Sequence, residues 1–180
     1  MQVESLNLTS PTDKSYFENL YKTAFLKEEQ VAIQSLYVLN NKNLIDINFL
    51  KVNGKKIGLA VIYLNQDLHL LSYFAIEEKY RGQGLGTKAL ALLKEKYDNL
   101  IVEIESTNLK KVDDYDLRKK RKDFYLKNGY KVLDGQVNYF GIEMELMSTT
   151  KDAGIDEYFD TYYKIFNKDY INKNIKIIEN

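Results

Sequence analysis

With 180 residues, of which 44% are hydrophobic and 29% charged, the chain has the size and composition of one globular domain, and neither long disorder nor a coiled coil fits. Lysine plus arginine balances aspartate plus glutamate at 26 each, which excludes the global positive field that gathers nucleic acid or anionic lipid. There is no cysteine, hence no disulfide, thiolate metal site or cysteine nucleophile, and neither a leader-like start nor an apolar run of roughly 18 residues occurs, so a cytoplasmic protein without membrane or nucleic-acid partners is expected.

The elements follow one another without a linker or repeat, and the one proline is Pro11. Val3 to Leu8 alternate like a strand, and Thr9-Ser10-Pro11 turns into a helix carrying Phe17, Leu20, Tyr21 and Phe25 at helical spacing. A second helix runs through Val31, Leu36 and Leu39. Ile45 to Val52 and Ile57 to Leu64 form strands joined by Asn53-Gly54, a strong hairpin signal, and Asn65-Gln66-Asp67 reverses the chain into a third strand, Leu68 to Ile76. A glycine-rich loop at 81–86 then opens a helix with Leu85, Ala89, Leu92, Leu93 and Tyr97 on one face, followed by the strand Leu100 to Glu105. That strand–helix–strand order predicts a parallel pair. A charged segment leads to a helix ending at Asn128-Gly129, where glycine takes the left-handed cap. Tyr130 to Leu133 and Tyr139 to Met147 form a closing hairpin. In the tail, Ile155, Tyr158, Phe159, Tyr162, Tyr163 and Phe166 share a helical stripe. The prediction is a mixed α/β sheet, antiparallel at first and parallel in the middle, with residues 1–150 as the domain and 151–180 as an amphipathic helix and tail packed on it.

Arg81-Gly82-Gln83-Gly84-Leu85-Gly86 lies between an apolar strand and an amphipathic helix, where unpaired N–H groups and the helix dipole suit an anion such as phosphate. A side chain at these glycines would hold the backbone away from the phosphate oxygens, and some of these turns need positive φ. A plain tight turn is the structural alternative. A Walker loop is excluded, because the glycine spacing is too short and Thr87 precedes Lys88. The dinucleotide fingerprint fits Gly84-x-Gly86-x-x-Ala89, with Glu105 at the required distance, but five residues intervene between the strand and the loop, and antiparallel hairpins precede that strand.

Arg81-x-x-Gly84-x-Gly86 resembles the pyrophosphate-binding motif of the GNAT superfamily of N-acetyltransferases. Tyr73-Phe74-Ala75-Ile76 resembles the family's cofactor-binding strand, and Phe124-Tyr125-Leu126-Lys127-Asn128-Gly129-Tyr130 resembles its second motif. The order of elements is similar to the family's from the first strand to about Met147. The resemblance implies that acetyl-CoA is the co-substrate and that the site involves Arg81 together with the backbone amides of Gly82, Gln83, Gly84, Leu85, Gly86 and Thr87, which hold the pyrophosphate; the sequence itself offers no metal-ligand cluster, so no metal is expected. Phe74 and Ile76 would bond the pantetheine arm through their main chain. The family often has an asparagine after the last central strand; here a long charged stretch stands in its place, with Asn108 as the nearest substitute.

The implied chemistry is direct attack of a primary amine on the thioester. Tyr125 is the candidate donor to the departing thiolate, and a core aromatic is its structural alternative. Glu103 and Glu105 lie two apart on one strand and share a face, unusual for a central parallel strand. Either would serve as a base acting through water, or both are structural carboxylates. His69 reads as an exposed strand residue. The basic run Arg118-Lys119-Lys120-Arg121-Lys122 reads as a solvated helix face, with the CoA 3′-phosphate or an acidic acceptor as the functional alternative. The expected partner is a small-molecule or peptide amine, and the expected state a monomer or homodimer. A non-catalytic acyl-CoA-binding or sensing protein is the second functional class.

Overall fold

A computed structural model describes residues 1–66, 68–150 and 153–178 of the chain. Asp67, in the predicted reversal, lies outside the described residues, as do Lys151 and Asp152 at the predicted start of the tail. The described chain divides into two units, one formed by residues 1–64 and 71–96 and the other by residues 65–70 and 97–180.

In the first unit the hydrophobic alternation produces strands β1 (Gln2–Ser5), β2 (Ile45–Val52), β3 (Lys55–Tyr63) and most of β4 (His69–Ile76), ordered β1-β2-β3-β4. Asn53 and Gly54 turn β2 into β3 with φ of 49° and 77°, the left-handed pair that a two-residue hairpin demands. Helix α1 (Pro11–Ala24) starts where expected: the Ser10 side chain accepts from Asp13 N at 3.2 Å, and Pro11 has no N–H to leave unpaired. Helix α2 is Ile33–Asn41. Gly58 is required by packing, since a Cβ there would sit 2.3 Å from the Ala75 carbonyl. Helix α3 (Leu85–Lys96) buries Ala89, Leu90 and Leu93. Ala89 shares a core with Leu50, Ile57 and Ile76, and Phe74, Tyr80 and Leu85 pack on it. Full burial of each large apolar side chain stabilises by about 1.5–3 kcal/mol, and this cluster joins the first turn of α3 to β4 and thereby holds the glycine loop.

The second unit contains β5 (Leu100–Glu105), β6 (Lys131–Tyr139), β7 (Ile142–Ser148) and β8 (Ile175–Ile178), with the start of β4 beside β5 and the order β4-β5-β7-β6-β8. His69 pairs with Leu100 and Leu70 with Ile101 in parallel, as the strand–helix–strand order predicts. The pairs β5·β7, β6·β7 and β6·β8 are antiparallel. The closing hairpin differs from the expected one. Tyr139 ends β6 rather than opening β7, because Phe140 and Gly141 make the turn at φ of 50° and 94°, with Gly141 N donating to Asn138 Oδ1 at 2.8 Å. Residues 133–135 form an irregularity within β6, where Gly135 takes φ of 92°. Helix α4 is Tyr115–Lys127, and Gly129 after it has φ of 85°. The tail stripe forms α5 (Ile155–Ile165), which buries Tyr158, Phe159 and Tyr162. Beyond it lie α6 (Lys168–Asn174) and the edge strand β8, neither of which the periodicity revealed.

Candidate functional site

The glycine loop belongs to the first unit. After β4 the chain makes a 3-10 turn over Glu78–Tyr80, with Tyr80 N donating to Glu77 O and Arg81 N to Glu78 O. Gly82 and Gly84 then take φ of 74° and 71°. A Cβ added at either would meet nothing within 4 Å, so these glycines are not forced by contact with the protein itself. Their left-handed φ leaves an open backbone concavity directly ahead of α3, whose Lys88 N–H is bonded to Gly84 O while the earlier first-turn amides have no helical acceptor. Unpaired amides at a helix N-terminus are suited to an anion.

The side chains around the loop brace it. Arg81 Nε donates to Ile76 O at 2.9 Å, and Gln83 Nε2 to Lys79 O at 3.2 Å. The sequence motif singles out Arg81, and the structure places its guanidinium on the end of β4. Glu77 fixes the other side by accepting Tyr16 Oη at 2.7 Å and pairing with Lys79 at 2.7 Å. Burial would raise the Glu77 pKa, but the bonds from Lys79 and Tyr16 outweigh it and hold the carboxyl below its ordinary value. Glu77 N donates to Ile57 O at 2.9 Å, so by strand alternation the main-chain groups of Phe74 and Ile76 turn away from β3. That orientation suits an extended ligand arm laid along β4. Tyr73, on the other face of β4, donates to Glu29 O at 2.6 Å and accepts from Val31 N at 3.2 Å, which pins the segment ahead of α2.

The candidate chemical groups belong to the second unit. Tyr125, on the last turns of α4, is buried, with its ring edge-on to Tyr130 at 5.1 Å. Burial pushes its phenol pKa up to about 12, against a smaller opposing effect of the Arg121 guanidinium. Glu103 and Glu105 do share a face of β5, and the structure gives each a partner. Glu103 accepts Tyr158 Oη at 2.6 Å and Tyr162 Oη at 2.8 Å, both from α5, whereas Glu105 pairs with Arg121 of α4. His69 is half-buried rather than exposed, its Nδ1 accepting from Asn65 N at 3.3 Å and its ring set against Tyr97. Asn108 donates its backbone N–H to Ser106 Oγ at 3.1 Å.

The basic run is not simply a solvated face. Arg118 pairs with Asp114, Arg121 with Glu105 and Lys122 with Glu145, while Lys119 and Lys120 stay exposed. Glu145 is the residue that sequence reasoning missed. It is 2% exposed and accepts Thr107 N and Thr107 Oγ1, each at 2.6 Å. The available signal was a carboxylate between apolar neighbours in Met144-Glu145-Leu146.

Residues 44–132 match the family model described as an acetyltransferase (GNAT) domain. No curated protein matches. A solved structure from Bacteroides thetaiotaomicron assigned to the GNAT acetyltransferases is similar with a TM-score of 0.76 at 18% identity, over 92% of this chain and 96% of that one. An aminoglycoside 6'-N-acetyltransferase complexed with coenzyme A has a TM-score of 0.63 at 17% identity, over 82% and 96%. A ribosomal-protein-alanine N-acetyltransferase from Brucella melitensis has 0.57 at 16%, over 82% and 98%. The family-model match and the shared fold point to the acetyltransferase class of domain for residues 44–132. The chain is similar to the GNAT acetyltransferases over residues 44–132 and shares their fold.

Proposed function

We propose that the chain transfers the acetyl group of acetyl-CoA to a primary amine by direct attack in a ternary complex. The observation that carries this reading is the loop at 82–87, whose positive-φ glycines open onto free space at the N-terminus of a twelve-residue helix. In the proposal the amides of Gly82 to Thr87 hold the pyrophosphate, and Phe74 and Ile76 bond the pantetheine arm through their main chain. When bound, acetyl-CoA supplies the activated thioester. Tyr125 donates to the departing sulfur, and Glu105 or Glu103 receives the amine proton through water. With the phenol pushed up to about 12 and a thiol near 8.5, full proton transfer from Tyr125 would be uphill by about 5 kcal/mol. Tyr125 therefore acts mainly by hydrogen-bonding the developing thiolate. The acceptor is a small-molecule or peptide amine, the kind of substrate named for the aminoglycoside and ribosomal-protein enzymes of similar fold.

Tyr125→Phe should lower kcat about 10-fold to 100-fold while leaving CoA affinity within a factor of two, since one hydroxyl is lost and the ring stays. Steady-state kinetics with a panel of amines, read as CoA release, tests this, and unchanged turnover would assign Tyr125 to the core. Glu105→Gln should flatten the acidic limb of the rate–pH profile, with Glu103→Gln as the same-face control. If the limb survives both substitutions, neither carboxylate is the base.

The engagement of both candidate carboxylates favours a second reading, a non-catalytic acyl-CoA-binding or sensing protein. Tight CoA binding without CoA release for any amine in the panel would establish it.

A further inference from the structure

Strand β8 (Ile175–Ile178) ends the strand order, with β6 on one side and, among the described residues, no strand on the other. Its backbone phase follows from one bond, Phe140 N donating to Asn174 O at 2.8 Å, in register with the pairs Tyr139·Ile175, Asn138·Lys176 and Val137·Ile177. Antiparallel ladders alternate, so Lys176 and Ile178 turn their N–H and C=O groups towards β6, whereas Ile175 and Ile177 turn theirs outward. The Ile175 N–H is already held by Ile171 O at the end of α6. The open edge therefore presents the N–H and C=O of Ile177 and the C=O of Ile175. Edge strands are normally blunted by charge, proline or a bulge. Strand β1, at the other end of the order, is Gln2-Val3-Glu4-Ser5, with Gln2, Glu4 and Ser5 exposed. β8 has neither proline nor bulge, its one charge, Lys176, is tied to Asn172 O, and Ile177 is 53% exposed.

We propose that β8 pairs with the β8 of a second copy of this chain, antiparallel and centred on Ile177. A two-fold pairing must set outward-facing residues against outward-facing residues. Centring it on Ile175 needs that residue's N–H, which α6 holds. Setting Ile175 against Ile177 needs the same N–H and puts Lys176 opposite its own copy, a destabilising like-charge pair. Centring on Ile177 meets neither obstacle: each Ile177 donates its N–H to the other's C=O, and Lys176 stands opposite the second copy's Ile178. Directly opposed residues point to the same face, so the two Ile177 side chains pack together. They do so at a notch of about 470 Å³ beside the edge, lined by Phe159 and Tyr163 of α5 together with Ile175 and Ile177, which gives the second copy's Ile177 an apolar seat. The contact is isologous and closes as a dimer. With lysine plus arginine equal to aspartate plus glutamate, at 26 each, no net charge drives two copies apart. The pairing is independent of acetyl transfer and uses neither the glycine loop nor the carboxylates of β5.

Sedimentation equilibrium of the full chain from about 1 µM to about 1 mM should show a monomer–dimer equilibrium with a Kd of roughly 10–100 µM, as befits a small interface. Ile177→Pro removes the outward N–H and no bond of the β6 ladder, and proline is tolerated on edge strands. It should therefore weaken dimerisation about 30-fold or more while leaving the melting temperature of the dilute protein unchanged. The register is read separately by cysteine substitution in a chain that has no cysteine. Mild oxidation should link Ile177→Cys into a covalent dimer, because directly opposed residues lie about 5.5 Å apart, whereas Lys176→Cys should stay unlinked, its own copy lying beyond the reach of about 7 Å that a disulfide allows. A wild type that stays monomeric throughout, a dimer untouched by Ile177→Pro, or linkage of Lys176→Cys rather than Ile177→Cys overturns the proposal. If Ile177→Pro fails to fold, the cysteine variants decide: linkage of Ile177→Cys alone supports the pairing, and the reverse pattern or no linkage overturns it.

Discussion

Gly84→Val is expected to weaken acetyl-CoA binding at least 100-fold while leaving a folded protein. Gly84 sits at φ of 71°, where a β-branched residue is a genuine outlier, so some strain is unavoidable. That strain costs about 1–3 kcal/mol. For a chain of this size, a drop of about 5 °C in melting temperature follows. Nothing within 4 Å of the added Cβ belongs to the protein, so the core is not disturbed. The isopropyl group instead projects into the concavity ahead of α3, where the proposed diphosphate must approach the amides of Leu85, Gly86 and Thr87. A 100-fold loss corresponds to about 2.7 kcal/mol, comparable to losing one or two charge-assisted hydrogen bonds. Calorimetric titration of the variant, with circular dichroism to confirm the fold, measures the effect. Unchanged affinity would show that the loop is merely a tight turn.

The parts of the fold that were legible in the sequence are those decided locally. Asn53-Gly54 specified its hairpin because both residues tolerate positive φ, and β5 has the predicted bounds because its apolar run ends in a charged segment. The parallel pairing of β4 with β5 followed from the crossover helix. What the sequence hid depends on partners far along the chain. Phe140 is a bulky residue at positive φ, a turn position that propensity assigns elsewhere, and its N–H is held by Asn174 O at 2.8 Å, thirty-four residues on. Strand β8 has four residues and exists as a ladder only against β6.

The candidate site divides in the same way. The glycine loop could be read from its spacing, because backbone geometry makes it and glycine alone permits that geometry. The carboxylates could be placed on one face of β5, but not assigned partners, because Tyr158 and Tyr162 lie more than fifty residues further along. The basic run looked solvated for the same reason: helical periodicity shows which residues share a face, not what covers that face.

Lys122→Ala is expected to produce the largest loss of stability among single surface-to-core charge changes, about 3–5 kcal/mol at pH 7, because it leaves the Glu145 carboxylate buried without its cation. In the wild-type chain, Thr107 Oγ1 accepts from Lys122 Nζ at 3.1 Å and donates to Glu145, so the three side chains close a ring at the end of β5. Burial pulls the Glu145 pKa upward, but the bonds from Lys122 and Thr107 outweigh it and hold the carboxyl below its ordinary value. A depressed folded-state pKa means that the wild-type contribution is present above the unfolded value, near 4.3, and is lost as pH falls through the folded one. Without Lys122, desolvation dominates and the carboxyl takes up a proton instead, so the variant loses stability as pH rises from about 4 towards neutrality. The gap between the two proteins should therefore be small at pH 4 and full at pH 7. Urea unfolding at both pH values measures it, with Lys122→Ala combined with Glu145→Gln as the control. The neutral amide keeps an acceptor for Thr107 N and needs no cation, so the double variant should recover at least half of the loss and show no such pH dependence. An equal gap at both pH values would mean that Lys122 stabilises through the packing of its alkyl chain rather than through its charge.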